Sequence, residues 1–429
     1  MLSVTKFGGT SLCCAARWQQ VRRIIDSDIS RRVVVVSAAG KRHPDDHKIT
    51  DLLYLCHAHL RCGVPCRELW QKIARRYCAI RDECAIACPI EDDLQAIYAG
   101  LSAQTSADEL ASRGEYLSAK LMAAFLGFSF VDAKDWLQFD YAGNVLADAS
   151  YAALGSLADG RKIVTPGFYG ALPDGRIHTF SRGGSDVTGS LAAAALHADV
   201  YENWTDVPGV LAADPRIIAE PRPIPHLSYA ELQLLSSGGT QVLHESAIAP
   251  LRAQGIVLQI RSTLQPELPG TCISCSHAPQ EEEGVCFAGK RPLSMLRITG
   301  EQALSQQALC AIAGDFSRRG LSVFHAANGP EGACMLLRAA ENPDTLHAAC
   351  DALRRELPGA QIKLRENLSV ILALCRTGAR VWRIAEAIEA AGVPIHHLVQ
   401  TPPGAFFCVN DSQYAHALRA AYRAGMQKA

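Results

Sequence analysis

The sequence predicts a three-layer α/β sandwich followed by two ferredoxin-like repeats. Three observations carry that prediction. The first half alternates short β-branched runs with helix-like stretches, the second half repeats one β-α-β-β-α pattern, and a proline-rich polar segment divides them. A chain of 429 residues is too long for a single compact core, so two or three domains are expected.

Leu2 to Phe7 reads as a short apolar strand, and Thr10 or Ser11 can cap a helix running to about Asp26. Val33-Val34-Val35-Val36 suits a parallel strand covered on both faces, and it ends in the small-residue turn Ser37-Ala38-Ala39-Gly40-Lys41. Residues from about Thr50 to Cys88 and from Leu94 to Gly127 read as helices. Ile163-Val164 and Ile177 to Phe180 are strands, Thr188 to His197 is an alanine-rich helix, and Val200 to Trp204 is a further strand. In such an order ligands belong at the strand carboxyl ends.

From about Leu264 to Gly284 the composition turns to Pro, Gly, Ser, Cys and a glutamate run, which reads as a boundary. Beyond it, Leu293 to Ile298, Ser322 to Ala326 and Ala333 to Arg338 are predicted strands, with helices at Leu304 to Arg319 and Thr345 to Leu357. The pattern returns as strands at Ser369 to Leu374, Pro394 to Val399 and Ala405 to Val409, with helices at Ala379 to Ala391 and Ser412 to Arg423. The resulting division is 1–283, 284–365 and 366–429. A duplicated module of this kind suits a paired small-ligand sensor.

Hydrophobic content of 48% with 20% charged residues is ordinary for a soluble protein, and a net charge of -1 gives no electrostatic reason to expect nucleic acid or a membrane surface as partner. No apolar run is long enough to span a bilayer, and the N-terminus enters a strand directly, so a cytoplasmic protein without a secretory signal is expected. Sixteen cysteines then read as free thiols. The spacings Cys62/Cys66 and Cys84/Cys88 could face one another across a helical hairpin as a zinc site, but they lack the tight turns of zinc knuckles. Buried thiols acting as small apolar residues are the favoured reading, and no metal site is assigned.

The chemistry concentrates in two glycine turns. Lys6-Phe7-Gly8-Gly9-Thr10-Ser11 carries a lysine, and Ser181-Arg182-Gly183-Gly184-Ser185-Asp186 carries an arginine and an aspartate. Either turn alone is an ordinary loop. Two with matching chemistry, each followed by a helix-like stretch, suit a polyphosphate held from both sides: glycine admits phosphate oxygens to backbone N–H groups, and a helix N-terminus adds to the attraction. Lys6 supplies the charge required when a phosphoryl group is in flight.

With these turns and the C-terminal repeats, the chain resembles the aspartate kinases (aspartokinases), which join an amino-acid-kinase (carbamate-kinase-like) fold to tandem ACT domains. Supporting segments include Ile49-Thr50-Asp51, Arg113-Gly114-Glu115, Asn203-Trp204-Thr205-Asp206, Asp214-Pro215-Arg216 and Val242-Leu243-His244-Glu245. The resemblance implies transfer of the ATP γ-phosphoryl group to the side-chain carboxylate of L-aspartate, the first step toward lysine, threonine and methionine. It implies that Arg182 binds the α-carboxylate, Glu115 pairs with the α-ammonium, Ser37, Thr50 and Ser185 line the aspartate pocket, and Asp186 holds Lys6. It also implies that Gly8, Gly9, Gly183 and Gly184 cradle the phosphates, that Thr205, Asp206 and Arg216 contact the nucleotide, and that Mg²⁺ enters on ATP. Leu211 and Gln241 depart from the residues common at those positions, tyrosine and lysine. Family members bind lysine or threonine at their ACT domains and form homodimers or larger homo-oligomers. Thr401-Pro402-Pro403-Gly404 stands where relatives carry an effector loop, and two prolines there imply weakened or altered feedback. Two rival readings are a catalytically silent amino-acid-binding regulator, disfavoured by Lys6, Glu115, Arg182 and Asp186, and a glutamate-type kinase, disfavoured by the paired repeats and Arg-Gly-Glu.

Overall fold

A computed structural model of the chain describes residues 1–181, 183–239, 243–275, 285–300, 304–329, 332–338, 342–375, 378–401 and 403–427. Two compact units emerge. The first comprises Met1–Val210, Pro223–Gln233 and Gln241–Pro279, and the second Leu211–Arg222, Leu234–Thr240 and Gln280–Ala429.

In chain order the first unit opens with β1 (Ser3–Phe7), α1 (Ala15–Asp26), β2 (Arg31–Val36), α2 (Ile49–Arg61), α3 (Arg67–Glu83), α4 (Ile90–Gly100) and α5 (Ala107–Leu126). It continues with β3 (Ser129–Phe130), α6 (Ala147–Ala158), β4 (Ile163–Pro166), β5 (Tyr169–Ala171), β6 (Ile177–Thr179), α7 (Gly184–Ala195) and β7 (Val200–Thr205). β8 (His226–Ser228), α8 (Tyr229–Ser237), α9 (Ile248–Ala253), β9 (Val257–Ser262) and β10 (Thr271–Ser274) follow, α8 running on into residues of the second unit. The main sheet has the order β3-β4-β2-β1-β7-β9-β10-β8 and is parallel except where β10 meets β9.

All four valines of β2 are buried, as a strand covered on both faces requires. The core on one face gathers Phe7, Val34, Val36 and Trp204 with the inner sides of α1, α2, α3, α4 and α5. α7 packs over β1 from the other face. β1, β2, β4 and β7 run in one direction, so Phe7, Val36, Pro166 and Thr205 end them on one edge.

One expectation is corrected, and two segments are seen in more detail. Neither Thr10 nor Ser11 caps α1: Gly9–Leu12 is a separate 3₁₀ turn, and α1 starts after Cys14. The stretch from Thr50 to Cys88 is two helices, because Gly63 adopts a left-handed φ of 68° and Pro65 disfavours helical geometry in Val64. The segment read as a boundary from Leu264 contains β10, whose Thr271 hydroxyl donates to the Ile224 carbonyl, 2.6 Å away; the expected cut at 283/284 lies outside the described residues.

The second unit contains β11 (Cys286–Thr299), α10 (Gln306–Arg318), β12 (Val323–Gly329), β13 (Gly332–Arg338), α11 (Pro343–Glu356), β14 (Gln361–Leu374), α12 (Gly378–Ala390), β15 (His397–Thr401), β16 (Gly404–Asn410) and α13 (Tyr414–Met426). They form one antiparallel sheet ordered β12-β13-β11-β14-β16-β15 with two separate helix-covered cores. Leu296, Ile298, Phe316, Met335, Leu353 and Ile362 belong to one core, and Phe287, Ile371, Ile384, Phe407 and Leu418 to the other. The later module therefore draws its first strand from the start of β11, so the earlier module is nested within it. The two repeats are legible as a duplication, whereas the nesting depends on β11 and β14 each serving both halves.

Candidate functional site

β1 delivers Lys6 to the carboxyl edge of the sheet on the α7 side. There Lys6 Nζ lies 2.5 Å from Asp186 Oδ1 and 3.4 Å from Asn203 Oδ1, and Asn203 Nδ2 donates to the same Asp186 oxygen at 3.1 Å. Each partner has a local reason to be there. Lys6 and Asn203 are register partners in adjacent parallel strands, so their side chains leave one face side by side. Asp186 occupies the first turn of α7, where a carboxylate is favoured, and Tyr201 donates to its backbone carbonyl at 3.2 Å. Lys6 is buried yet paired, which holds its side chain close to the glycine turn. Asn203 was not among the predicted site residues. It lies in the Asn203-Trp204-Thr205-Asp206 segment, but its role needs the pairing of strands whose residues are 197 positions apart.

Opposite faces of the same strands carry the support. Glu202 accepts from Arg31 Nε at 2.7 Å and Nη2 at 2.9 Å, and Trp204 Nε1 donates to Glu202 at 2.9 Å. Trp204 stacks on Phe7 and lies between the guanidinium groups of Arg31 and Arg261, 5.4 and 4.6 Å from its ring centre. This cluster ties β2, β1, β7 and β9 into one register.

Gly8 lies beside Lys6: a Cβ there would fall 3.7 Å from Lys6 Nζ. Gly9 packs on the turn after β2, with a hypothetical Cβ 2.8 Å from the Ala38 carbonyl oxygen, and its own carbonyl accepts from Gly40 N–H at 2.8 Å. In the second turn Gly183 has φ 61° and a Cβ would meet His244 Cβ at 2.4 Å, so both backbone angle and space require glycine. Gly184 starts α7, hemmed by Phe168 and Phe180. Ser185, buried in that helix, sits against Gly167 after β4. Arg182 lies outside the described residues, as does Gln241.

Ser37 follows β2 and is half-buried, its N–H donating to the Phe7 carbonyl at 3.1 Å; Thr50 is half-buried in the first turn of α2. Glu115 is fully buried on α5, and its Oε2 has no hydrogen-bond partner among the described residues. Burial pushes its carboxyl up to about 8, against a weaker downward pull from the Ala38 N–H group. A buried carboxyl with an open oxygen suits a cationic ligand group. Thr205 ends β7 and its hydroxyl donates to exposed Asp206 at 3.2 Å. Arg216 belongs to the second unit, where it pairs with Asp214 at 2.7 Å, and Leu211 belongs there too.

None of the sixteen cysteines forms a disulfide. Cys66 faces Cys56, while the Cys84 thiol donates to the Ala15 carbonyl at 3.8 Å, so the two i,i+4 pairs turn to different neighbours. Among the described residues no group of three or more His, Cys, Asp or Glu side chains is placed to hold a metal ion. No helix is long and apolar enough to cross a membrane, again among the described residues.

The model of the amino acid kinase family matches residues 1–262. Aspartokinase 3 of Bacillus subtilis is 30% identical over 450 residues, covering 98% of both chains. Lysine-sensitive aspartokinase 3 of Escherichia coli is 26% identical over 94% of this chain and 95% of its own. The crystal structure of Clostridium acetobutylicum aspartate kinase superposes with a TM-score of 0.91 at 34% identity, over 99% of this chain and 100% of that one. That of E. coli aspartokinase III in complex with aspartate and ADP shares the fold, with a TM-score of 0.74 at 22% identity over 99% of both chains. The chain belongs to the amino acid kinase family and, within it, to the aspartokinases.

Proposed function

We propose that this chain performs the aspartokinase reaction, transfer of the ATP γ-phosphoryl group to the side-chain carboxylate of L-aspartate, with Lys6 neutralising charge and Glu115 receiving the substrate ammonium. The observation that carries the reading is Glu115: a buried carboxyl whose Oε2 lacks a partner among the described residues fits the cation of an amino acid and nothing in a simple carboxylic acid. A free carboxylate has a pKa of about 4, so the nucleophile arrives ionised and no general base is required. What the site must supply is in-line positioning and compensation for crowded oxygens. Lys6, held by Asp186 and Asn203, presents one positive charge beside the bare backbone of Gly8 and Gly9. Gly183 and Gly184 open the N-terminus of α7 toward the same phosphates, Arg182 takes the α-carboxylate, and Ser37, Thr50 and Ser185 shape the pocket. Thr205, Asp206 and Arg216 are assigned to the nucleotide. Mg²⁺ enters with ATP and spreads the phosphate charge; the phosphate oxygens, rather than a protein cage, hold it.

Residues 1–283 form the catalytic domain in this reading; of the expected ACT pair, 284–365 and 366–429, the second module also takes in the start of β11, and the pair binds effector and builds a homodimer or larger homo-oligomer of a cytoplasmic enzyme. Lysine is the first effector to test, since the E. coli relative is lysine-sensitive. The two prolines of the Thr401-Pro402-Pro403-Gly404 sequence, of which Pro402 lies outside the described residues, support weakened or altered feedback, and half-inhibition by micromolar lysine or threonine overturns that point. An ATP-dependent acyl-hydroxamate assay with aspartate, glutamate and no acceptor tests the function: product with aspartate alone is expected, and none with aspartate refutes it.

A further inference from the structure

Helix α3 contributes nothing to either glycine turn, yet two consecutive buried side chains on it reach the two halves of the site. Arg76 Nη1 donates to the Gly40 carbonyl at 2.8 Å, and Nη2 donates to both Asp46 oxygens at 2.8 and 2.6 Å. Asp46 in turn accepts from Arg42 N–H at 3.0 Å, closing the loop between β2 and α2. Gly40 is the residue whose N–H holds the Gly9 carbonyl, so Arg76 braces the phosphate turn from behind. Tyr77 is fully buried, and its hydroxyl donates to the Gly114 carbonyl at 2.6 Å, next to Glu115. The Ala39 N–H group is directed at the same phenolic oxygen, and Ser118 Oγ is 3.2 Å from it. Gly114 meets the turn so closely that a Cβ would lie 2.7 Å from Ala38 Cβ. Successive helical residues diverge by about 100°, which lets neighbours serve two different elements.

We infer that Arg76 and Tyr77 are a positioning pair that sets the spacing between the phosphate turn at Gly8–Gly9 and the acceptor's ammonium site at Glu115, and so the in-line geometry of transfer. The inference rests on the proposed function. Neither residue is assigned a substrate contact; Arg76 acts through Gly40, which holds Gly9, and Tyr77 through Gly114, the neighbour of Glu115. Simple satisfaction of buried polar groups would affect stability alone.

The test compares Tyr77→Phe, which keeps the ring and removes the hydroxyl, with Arg76→Gln and Arg76→Lys in the full chain. Losing one buried hydrogen bond at a positioning site is expected to lower kcat/KM for aspartate about tenfold in Tyr77→Phe, with KM for ATP within about twofold. Arg76→Gln is expected to lower kcat and raise KM for ATP, and Arg76→Lys to restore part of both. Wild-type kinetics for both substrates in Tyr77→Phe, or losses that follow only the folded fraction seen by circular dichroism, overturn the pair's role. Should Tyr77→Phe not fold, an Arg76→Lys protein indistinguishable from Arg76→Gln does the same. Failure of the function itself is separable, because the wild-type chain would then make no acyl phosphate from aspartate.

Discussion

Aspartate binding should expel a proton, and the magnitude follows from Glu115. Burial raises this carboxyl from 4.5 to about 8 before any substrate is present. At pH 7 about nine-tenths of sites are then protonated. An ammonium about 4 Å away at an effective dielectric constant of about 20 favours the ionised form by about 4 kcal/mol, or about 3 pKa units. Binding at pH 7 should therefore release close to one proton per site, and aspartate affinity should rise nearly tenfold per pH unit from about 6 to 8 before levelling. Titration calorimetry in buffers of different ionisation enthalpy counts the protons. Glu115→Gln should abolish the release and most of the affinity. The same group sets a stability slope. Its folded pKa lies above its unfolded 4.5, so the folded state binds more protons between the two values; stability is highest below 4.5 and falls as pH rises toward 8. The loss is on the order of 1.4 kcal/mol per pH unit in that window without substrate, and Glu115→Gln should flatten it. No proton release from the wild-type enzyme at pH 7 would refute the assignment of Glu115 to the ammonium.

Three further outcomes are expected. Lys6→Ala should cut kcat at least a hundredfold while retaining a cooperative melt, because a charge aimed at the transition state is worth several kcal/mol, and more than about a tenth of kcat remaining contradicts its role. Gly183→Ala should cost about 1–3 kcal/mol in urea unfolding and impair turnover, since the left-handed backbone and the His244 side chain 2.4 Å from the new Cβ both oppose it; unchanged stability and kcat would show that the turn tolerates a side chain. Glu202→Ala, which strands Arg31 in the core, should cost about 3–5 kcal/mol without altering KM for aspartate, as separate denaturation and kinetic measurements would reveal.

The parts of this molecule that sequence reading reaches are those written in consecutive residues. Lys6-Phe7-Gly8-Gly9 specifies a strand that ends in a charge and an open turn, and Val33 to Val36 can only be a covered strand. Parallel pairing hides the rest. Asn203 becomes visible as Lys6's neighbour only once β1 lies against β7, and Glu202 looks like a misplaced surface charge until Arg31 and Arg261 enclose it. Likewise Arg76 and Tyr77 read as unremarkable helix residues, because α3 declares an amphipathic helix but not what its buried polar side chains hold. The Thr10 or Ser11 cap failed for a related reason: Gly9 must press its backbone against Ala38 and Gly40, and that contact, 30 residues away in sequence, dictates a 3₁₀ turn where local preference favours a cap. Local signals therefore mark where chemistry stands, while the distances that make it work, from Gly40 to Gly9 and from Tyr77 to Gly114, are set by contacts that no single stretch of chain contains. A variant series along α3 would for this reason expose more of the catalytic geometry than further substitutions within the glycine turns.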